Sequence, residues 1–202
     1  MRKFTDDTLL VATHNAGKLA EISDLIQPFG VHVIGAAEKG LGEPDETETT
    51  FVGNARIKAH SAARASGLPA LSDDSGIEIL PLDNAPGVYT ADWAETENGR
   101  DFTMAMNKAH DLLLQSGQER PWKARFCCTL VLAWPDGHDE VFPGTLDGDF
   151  VWPMRGKLGH GYDPIFQPDG SDLTFAEMNA AAKNLISHRA RAFEKLVANC
   201  FA

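Results

Sequence analysis

Apolar residues in the first half of the chain fall into short runs that alternate with stretches of helical periodicity. Residues 9–12 form an apolar run that predicts a buried strand. A helix is predicted next, because apolar side chains recur at intervals of three and four residues, at Leu19, Ile22, Leu25, Ile26 and Phe29. Residues 32–34 predict a second strand. A second helix is predicted over about residues 51–65, where Gly67 and Pro69 follow as a stop signal.

The second half continues the alternation and adds a hairpin. A third strand is predicted at residues 70–72, interrupted by a polar turn at 73–76 and resumed at 77–80. A third helix covers about residues 102–115. Strands at about 124–134 and 139–150 flank a Pro-Asp-Gly turn, which is typical of an antiparallel hairpin. The last helix is predicted to begin near Ser187 and to carry a stripe of Ile186, Ala190, Phe193, Val197 and Cys200.

These elements predict one α/β domain over residues 1–202. Strands that alternate with helices favour parallel pairing, and the hairpin adds antiparallel pairing, so we expect a mixed sheet flanked by helices. We also expect two lobes around a central cleft. The sequence shows no internal repeat, low-complexity run or linker that would divide it into separate domains.

The charge of the chain narrows the class of ligand. A formal net charge of −11 disfavours binding to a nucleic acid polymer, which needs a basic face. A small polyanion needs only a few cations, backbone amides and a bridging metal, so the acidic balance does not exclude nucleotides.

The chain shows no feature of a membrane or exported protein. No apolar run approaches the roughly 20 residues that cross a bilayer, and the charged N-terminus is unlike a signal peptide. The three cysteines are expected to be reduced and buried, and the seven histidines lack metal-ligand spacing. We therefore expect a cytoplasmic protein that does not bind membranes.

A first candidate site is the loop Thr13-His14-Asn15-Ala16-Gly17-Lys18, between the first strand and the first helix. A helix start exposes backbone N–H groups and the positive end of the helix dipole, which together attract anions. Lys18 opposes that dipole and is mildly unfavourable without an anionic ligand. The loop is not a Walker A motif. The alternative is an ordinary turn with an exposed lysine.

A second candidate lies in the acidic sequences. Asp73 and Asp74 adjoin a buried strand, where paired carboxylates are costly unless a cation or solvent compensates them, and Mg²⁺ favours such ligands. Asp45 or Glu46, before the second helix, is a candidate second ligand. Lys58 lies on the apolar stripe of that helix. The alternatives are a solvated Asp-Asp turn, solvated helix charge and a lysine that extends to the rim.

Two later segments complete the candidates. The sequence of residues 156–164, GKLGHGYDP, allows the backbone close to a planar ligand and offers an aromatic ring for stacking. Ser187 is a plausible N-cap, which places His188 and Arg189 in the first helical turn, with Lys183 just before them. The alternatives are a plain loop and surface charge. Two cationic helix starts in an acidic protein favour a polyanionic ligand.

Taken together, these segments resemble the inosine/xanthosine triphosphate pyrophosphatases, enzymes that remove ITP, dITP and XTP from the nucleotide pool. The resemblance covers about residues 9–197. The segments that carry it, in order, are VATHNAGKLAEI, TFVGNARIKA, LSDDSGIEI, APGVYTADWA, ARFCCTLVLA, GHGYDPIF and AEMNAAAKNLISHRARAF.

The resemblance implies a Mg²⁺-dependent homodimer that releases pyrophosphate from purine nucleoside triphosphates. It implies that Asp74 accepts a proton and binds the metal; Asp45 or Glu46 stays the candidate further ligand that the acidic stretch offers. The substrate-binding residues that it implies are Thr13, His14, Asn15, Ala16, Gly17, Lys18, Lys58, Ser75, His160, Gly161, Tyr162, Asp163, Lys183, His188 and Arg189.

Several positions depart from the family pattern. His160 stands where phenylalanine is frequent, and His14 replaces the usual glycine of the first loop. Thr90-Ala91-Asp92 stands where many members have Ser-Ala-Arg, so a role for that arginine is absent. Ala181 and Ala182 replace acidic residues that often precede Lys183. These departures bear on specificity more than on the reaction.

The resemblance leads to the hypothesis that water attacks the α-phosphorus, assisted by Asp74, with Lys18 and Lys58 offsetting charge on the departing pyrophosphate. A pocket of donors, including Arg189, would accept a 6-keto purine and reject adenine. Two alternatives stay open: a Maf-like pyrophosphatase that acts on pyrimidine or modified nucleotides, and a non-catalytic nucleotide sensor.

Overall fold

A computed structural model describes residues 1–201 of the chain and contains five α-helices and eight strands. The helices are α1 (Ala16–Ile26), α2 (Phe51–Ser66), α3 (Phe102–Ser116), α4 (Ala180–Ile186) and α5 (His188–Leu196), which continues as a π-helical turn, Val197–Phe201. The strands are β1 (Thr8–Val11), β2 (His32–Gly35), β3 (Ala70–Ile79), β4 (Glu95–Thr96), β5 (Gly99–Arg100), β6 (Trp122–Ala133), β7 (Asp139–Phe150) and β8 (Phe166–Pro168).

Six strands form one mixed sheet in the order β2-β1-β3-β6-β7-β8, and β4 and β5 form a separate antiparallel pair. β1 pairs in parallel with both β2 and β3, whereas β7 and β8 pair antiparallel. The predicted mixed α/β sheet is therefore confirmed. None of the helices in residues 1–201 is long and apolar enough to span a membrane.

The chain divides into two compact units, each with its own core. Unit 1 comprises Met1–Asp74, Cys128–Pro143 and the C-terminal stretch from Ala192. Unit 2 comprises Ser75–Cys127 and Gly144–Arg191. The expected single domain with two lobes around a cleft stays a prediction.

Unit 1 buries apolar residues in two clusters that belong to opposite faces of its strands. Leu9, Val11 and Leu71 pack with α1 and α5, whereas the neighbouring Leu10 and Ala70 pack with α2. Consecutive strand residues point to opposite faces, so this division follows directly from the sequence. Helix α2 meets the sheet through small side chains, Ala55, Ala59, Ala62 and Ala63, all of them buried.

Unit 2 contains a larger aromatic core. Tyr162, Phe166 and Phe175 are fully buried there, packed with Ile77 from β3 and with the inner face of α3. The three cysteines lie in the interior of their respective units as free thiols, as expected.

The strand β3 is continuous, and the expected turn at residues 73–76 is wrong. Aspartate and glycine usually mark turns, which explains the prediction. Here both carboxylates have lysine partners, so the backbone remains extended through Asp73 and Asp74.

Two predicted helical stripes also need correction. Helix α1 ends at Ile26 because Pro28 follows, so only Ile22 and Ile26 of the predicted stripe are buried, and Leu25 and Phe29 are exposed. The C-terminal helix does not include Ile186. The chain is extended at Ser187, so Ile186 ends α4 and is exposed.

Candidate functional site

The core of the candidate site in unit 1 is the pair of adjacent carboxylates in β3. Asp73 follows Leu71 on the face covered by α1, and Asp74 follows Ser72 on the face covered by α2. Ser72 fixes the second face, because its hydroxyl donates to the carbonyl of Ala55 in α2 at 2.6 Å. The two acids therefore face different helices, and each helix supplies a lysine.

Lys18 of α1 is the partner of Asp73. Its Nζ donates to both carboxylate oxygens, each at 2.9 Å. The Asp73 side chain is only 2% exposed, whereas that of Lys18 is 28% exposed. The carboxylate is thus fully enclosed, and the ammonium keeps a side open to solvent. Lys18 is not the exposed lysine of an ordinary turn.

The loop before Lys18 is capped by its own asparagine. Asn15 Oδ1 accepts from the backbone N–H groups of Gly17 at 2.9 Å and Lys18 at 3.1 Å, and Thr13 Oγ1 accepts from the N–H of Asn15. The expectation of free N–H groups at this helix start is therefore wrong for Gly17 and Lys18, because the cap side chain already satisfies them. Asn15 would have to turn away before a ligand could take those donors.

Lys58 of α2 is the partner of Asp74. Its Nζ donates to Glu46 Oε1 at 2.5 Å and to Asp74 Oδ1 at 3.4 Å. Lys58 is 7% exposed, so it does not extend to the rim as the alternative interpretation required. Burial by itself lowers the pKa of Lys58, but the charges of Asp74, Asp73 and Glu46 outweigh it and raise the pKa.

Asp74 is the most perturbed carboxylate of this cluster. Burial raises its pKa to about 6; Lys58 opposes this rise, while Glu46 and Asp73 add to it. Within residues 1–201 its buried Oδ2 has no hydrogen-bond partner, although Oδ1 faces Lys58. A buried carboxylate oxygen left unsatisfied is costly and marks a position suited to a proton, a water or a cation.

The two candidate metal ligands, Asp45 and Glu46, belong to the acidic segment (residues 41–46) but have different contacts. Both Asp45 and Glu46 are exposed, but it is Glu46 that bonds to Lys58. The described residues contain no group of three or more His, Cys, Asp or Glu side chains that could hold a metal. The structure thus groups Glu46 with Asp74 and leaves Asp45 outside the cluster.

In unit 2, Asp163 organises the predicted base-binding loop. Its Oδ2 accepts from the backbone N–H of His160 at 2.8 Å and from Lys183 Nζ of α4. Gly159 has a positive φ of 74°, and a Cβ there would lie 2.0 Å from Asp163 Oδ2, so only glycine fits this approach. The loop is held by these contacts and is not a plain loop.

The two rings of this loop differ in exposure. Tyr162 is 1% exposed and packs edge-on against Phe102, with ring centroids 5.9 Å apart. Burial raises the pKa of Tyr162. His160 is exposed, and Gly161 beside it has a positive φ of 63°. Of the two rings, the imidazole is therefore the exposed one.

The start of α5 is as predicted. Ser187 Oγ accepts from the N–H of Ala190 at 3.1 Å, which confirms the N-cap, and His188 and Arg189 occupy the first turn. Both are buried, so they are not surface charge. The His188 ring stacks on Phe126, with centroids 4.9 Å apart.

Sequence reasoning missed two features of this cluster of acids and lysines. It left Asp73 without a separate role, although strand alternation places Asp73 and Asp74 on opposite faces and so gives them different neighbours. It also left Asp45 and Glu46 equivalent. The assignment of the remaining candidates, including Ala16 and Ser75, to substrate stays a prediction.

Comparison with known proteins gives a consistent picture. The model of the Ham1 family matches residues 9–199. A protein named dITP/XTP pyrophosphatase from Ruegeria pomeroyi is 68% identical over 99% of this chain and 98% of its own length. One of the same name from Agrobacterium fabrum is 57% identical, covering 99% of both chains.

Solved structures agree with the sequence relatives. A HAM1 protein from Coxiella burnetii has a TM-score of 0.89 at 35% identity, covering 95% of this chain and 96% of its own. The Ham1 protein of Staphylococcus aureus has a TM-score of 0.84 at 33% identity, with the same coverage. The resemblance inferred from the sequence is confirmed, and the chain belongs to the Ham1 family.

Proposed function

We propose that this protein hydrolyses non-canonical purine nucleoside triphosphates (dITP, ITP and XTP) to the nucleoside monophosphate and pyrophosphate. Relatives named dITP/XTP pyrophosphatase that match nearly the full chain support this proposal. The structural observation that carries it is the buried Asp74 carboxyl group, with one oxygen beside Lys58 and the other without a partner in the described chain.

The chemistry of the proposed reaction assigns a role to each group of the unit 1 cluster. A water molecule attacks the α-phosphorus, a P–O bond forms, and the bond to the departing pyrophosphate breaks. Asp74 takes the proton of that water. A carboxyl group with a pKa of about 6 is ionised at neutral pH and is a stronger base than an ordinary aspartate. Lys18 and Lys58 offset the negative charge of the phosphates.

We propose Mg²⁺ as the cofactor, held by Asp74 and Glu46. The donor set fits a hard cation, because it consists of carboxylate oxygens and includes the unsatisfied Asp74 Oδ2. When bound, the cation would neutralise phosphate charge. Asp45 is the weaker candidate because Lys58 bonds to Glu46 and Asp74 rather than to Asp45.

Specificity is proposed to depend on the purine 6-position. Hypoxanthine and xanthine present a keto acceptor there and adenine an amino donor, so a donor such as Arg189 would be left unpaired by adenine. Guanine shares the keto group, which requires exclusion at its 2-position. His160, Asp163, Lys183 and His188 are the further proposed contacts to base and sugar.

The test is Mg²⁺-dependent release of pyrophosphate from dITP, XTP, dGTP, ATP and dUTP in parallel. We expect dITP and XTP to be hydrolysed at least tenfold faster than dGTP or ATP. Comparable turnover of ATP and dITP would contradict the specificity. Preference for dUTP would favour the Maf-like alternative, and persistence of bound, intact dITP would favour a sensor.

Assembly and location belong to the same proposal. We propose a homodimer in the cytoplasm, where the nucleotide pool is found. Light scattering of the purified protein in dilute solution would decide the first point, since a monomer has a mass of 21.9 kDa.

A further inference from the structure

The strongest unexplained feature is the side chain of His14, which contacts the acidic segment. Its Nε2 lies 2.9 Å from the carbonyl oxygen of Leu41. Since a carbonyl only accepts, Nε2 is the donor of this bond. Nδ1 of the same ring lies 3.8 Å from Glu43 Oε2. One imidazole therefore joins the loop after β1 to the acidic segment.

The acidic segment has one anchor at each end. Leu41 is held at its start by a backbone bond to Ala36, which in turn donates to Val11 of β1. Glu46 is held at its end by Lys58. Between these anchors, the contacts of His14 lie at Leu41 and Glu43.

A cavity of about 100 Å³ adjoins these contacts and is lined by His14, Glu43, Lys58 and Ala62, among others. The imidazole and the lysine thus line the same space within unit 1. Loss of the imidazole would open this cavity beside Glu43 and remove the contact that holds the segment against the loop.

We propose that His14 is a positioning residue: it holds the acidic segment against the β1–α1 loop and so keeps Glu46 beside Lys58 and Asp74. This inference rests on the proposed function for its effect on catalysis. It differs from the assignment of His14 to substrate, because the ring acts through Glu46. A chain with glycine at this position would need another means of holding the segment.

Three variants distinguish the two contacts of His14, with the Leu41 carbonyl and with Glu43. His14→Gly removes both. His14→Gln keeps a donor within reach of the Leu41 carbonyl, because the glutamine amide nitrogen takes the place of Nε2, and loses the contact with Glu43. His138→Gln is the matched control, since His138 also pairs with a carboxylate, Glu140 at 3.0 Å, on the exposed surface of unit 1.

The first readout is independent of activity. Backbone ¹⁵N relaxation of Gly42, Glu43, Asp45 and Glu46 is expected to show order parameters near 0.85 in the wild type and below about 0.6 in His14→Gly. His14→Gln is expected to recover most of the difference, and His138→Gln is expected to leave these amides unchanged. Equal order parameters in the wild type and His14→Gly would overturn the inference.

The second readout is the MgCl₂ concentration for half-maximal pyrophosphate release from dITP. Loss of one such hydrogen bond corresponds to about a fivefold increase in His14→Gly, with partial recovery in His14→Gln. A more mobile segment with an unchanged Mg²⁺ requirement would also overturn the inference. Absence of turnover by the wild type would instead refute the proposed function, and the order parameters alone would then decide whether His14 holds the segment.

Discussion

The two acids of β3 are neighbours in the chain but occupy different electrostatic environments. Asp73 has two equal bonds from a single lysine, and both of its carboxylate oxygens are satisfied. Asp74 has one long bond from Lys58, shares that lysine with Glu46, and has a second oxygen without a partner among the described residues. Asp73 thus accepts hydrogen bonds at both oxygens, whereas Asp74 accepts at one.

This difference separates a structural from a chemical role for the same residue type. A carboxylate whose oxygens both accept hydrogen bonds from one ammonium group is held in place by that cation. A buried carboxylate with incomplete compensation takes a proton more readily, which agrees with the pKa of about 6 for Asp74. We therefore expect Asp74 to determine the rate and Asp73 to determine stability and the position of Lys18.

The sharpest test of this contrast is Asp74→Asn. We expect the rate of pyrophosphate release to fall by about 10²–10³, the usual cost of removing a group that acts in the transition state. At pH 4 the thermal midpoint is expected to change little, because the wild-type carboxyl group is then largely protonated and the amide is nearly isosteric with it. Near-wild-type turnover would remove Asp74 from its role.

Asp73→Asn is expected to act on stability first. The change leaves Lys18 without its carboxylate and should lower the free energy of unfolding by about 1–3 kcal/mol, as measured by urea denaturation. The figure is modest because the Lys18 side chain is 28% exposed and solvent can compensate the ammonium. The double variant Asp73→Asn with Lys18→Met should cost less than the sum of the single changes; strict additivity would contradict the pairing.

The pH dependence of the rate should reflect Asp74. Its pKa of about 6 predicts that kcat/KM falls below pH 6, by about tenfold at pH 5, as the base becomes protonated. A bound cation stabilises the carboxylate, so the profile of kcat should break at a lower pH than that of kcat/KM. An acid limb near pH 4 in kcat/KM would show that burial does not control this group.

The rate is expected to fall at low pH, whereas the contribution of Asp74 to the free energy of unfolding is expected to increase there. The folded-state pKa of Asp74 lies above its ordinary value of 3.8. The contribution of this group to stability is therefore complete below pH 3.8 and is lost as the pH rises through about 6. Asp74→Asn should therefore gain stability relative to the wild type between pH 4 and 7. Parallel urea titrations of the two proteins measure this difference.

The smallest effect is expected at the acidic segment. Glu46→Gln should raise the Mg²⁺ requirement several-fold, because it removes a carboxylate beside Lys58 and Asp74. Asp45→Asn, the matched control one residue earlier, should stay within twofold of the wild type because Lys58 bonds to Glu46 and Asp74 rather than to Asp45. A larger effect at Asp45 than at Glu46 would reverse the assignment.

Much of the fold could be predicted because local pattern and tertiary structure agree. Helix α2 has a Thr50 cap, a stripe of alanines and a terminal glycine, and its predicted bounds are nearly those observed. The hairpin of β6 and β7 was predicted equally well from its Pro-Asp-Gly turn. The short strands β4, β5 and β8 and the helix α4 were missed, since segments of two to seven residues show too little periodicity.

The candidate site was harder to predict, because its decisive features are partnerships between distant residues. The sequence identified Lys18, Lys58 and Asp74 but not which lysine meets which acid, since those contacts span 55 and 16 residues. Which of the candidate side chains are buried could not be predicted from the sequence either. Tyr162 was offered as a ring for stacking, yet it lies in the core of unit 2, and the neighbouring His160 is exposed.

The continuity of β3 limits which sequence changes this chain can accept during evolution. Because the pleat alone assigns one acid to each flanking helix, a single-residue insertion or deletion upstream in the strand would exchange the two environments. Both lysines would then meet the wrong neighbour at once. Substitutions of individual side chains leave the alternation of side chains along β3 unchanged. The strand should therefore tolerate a substitution far better than an insertion or a deletion.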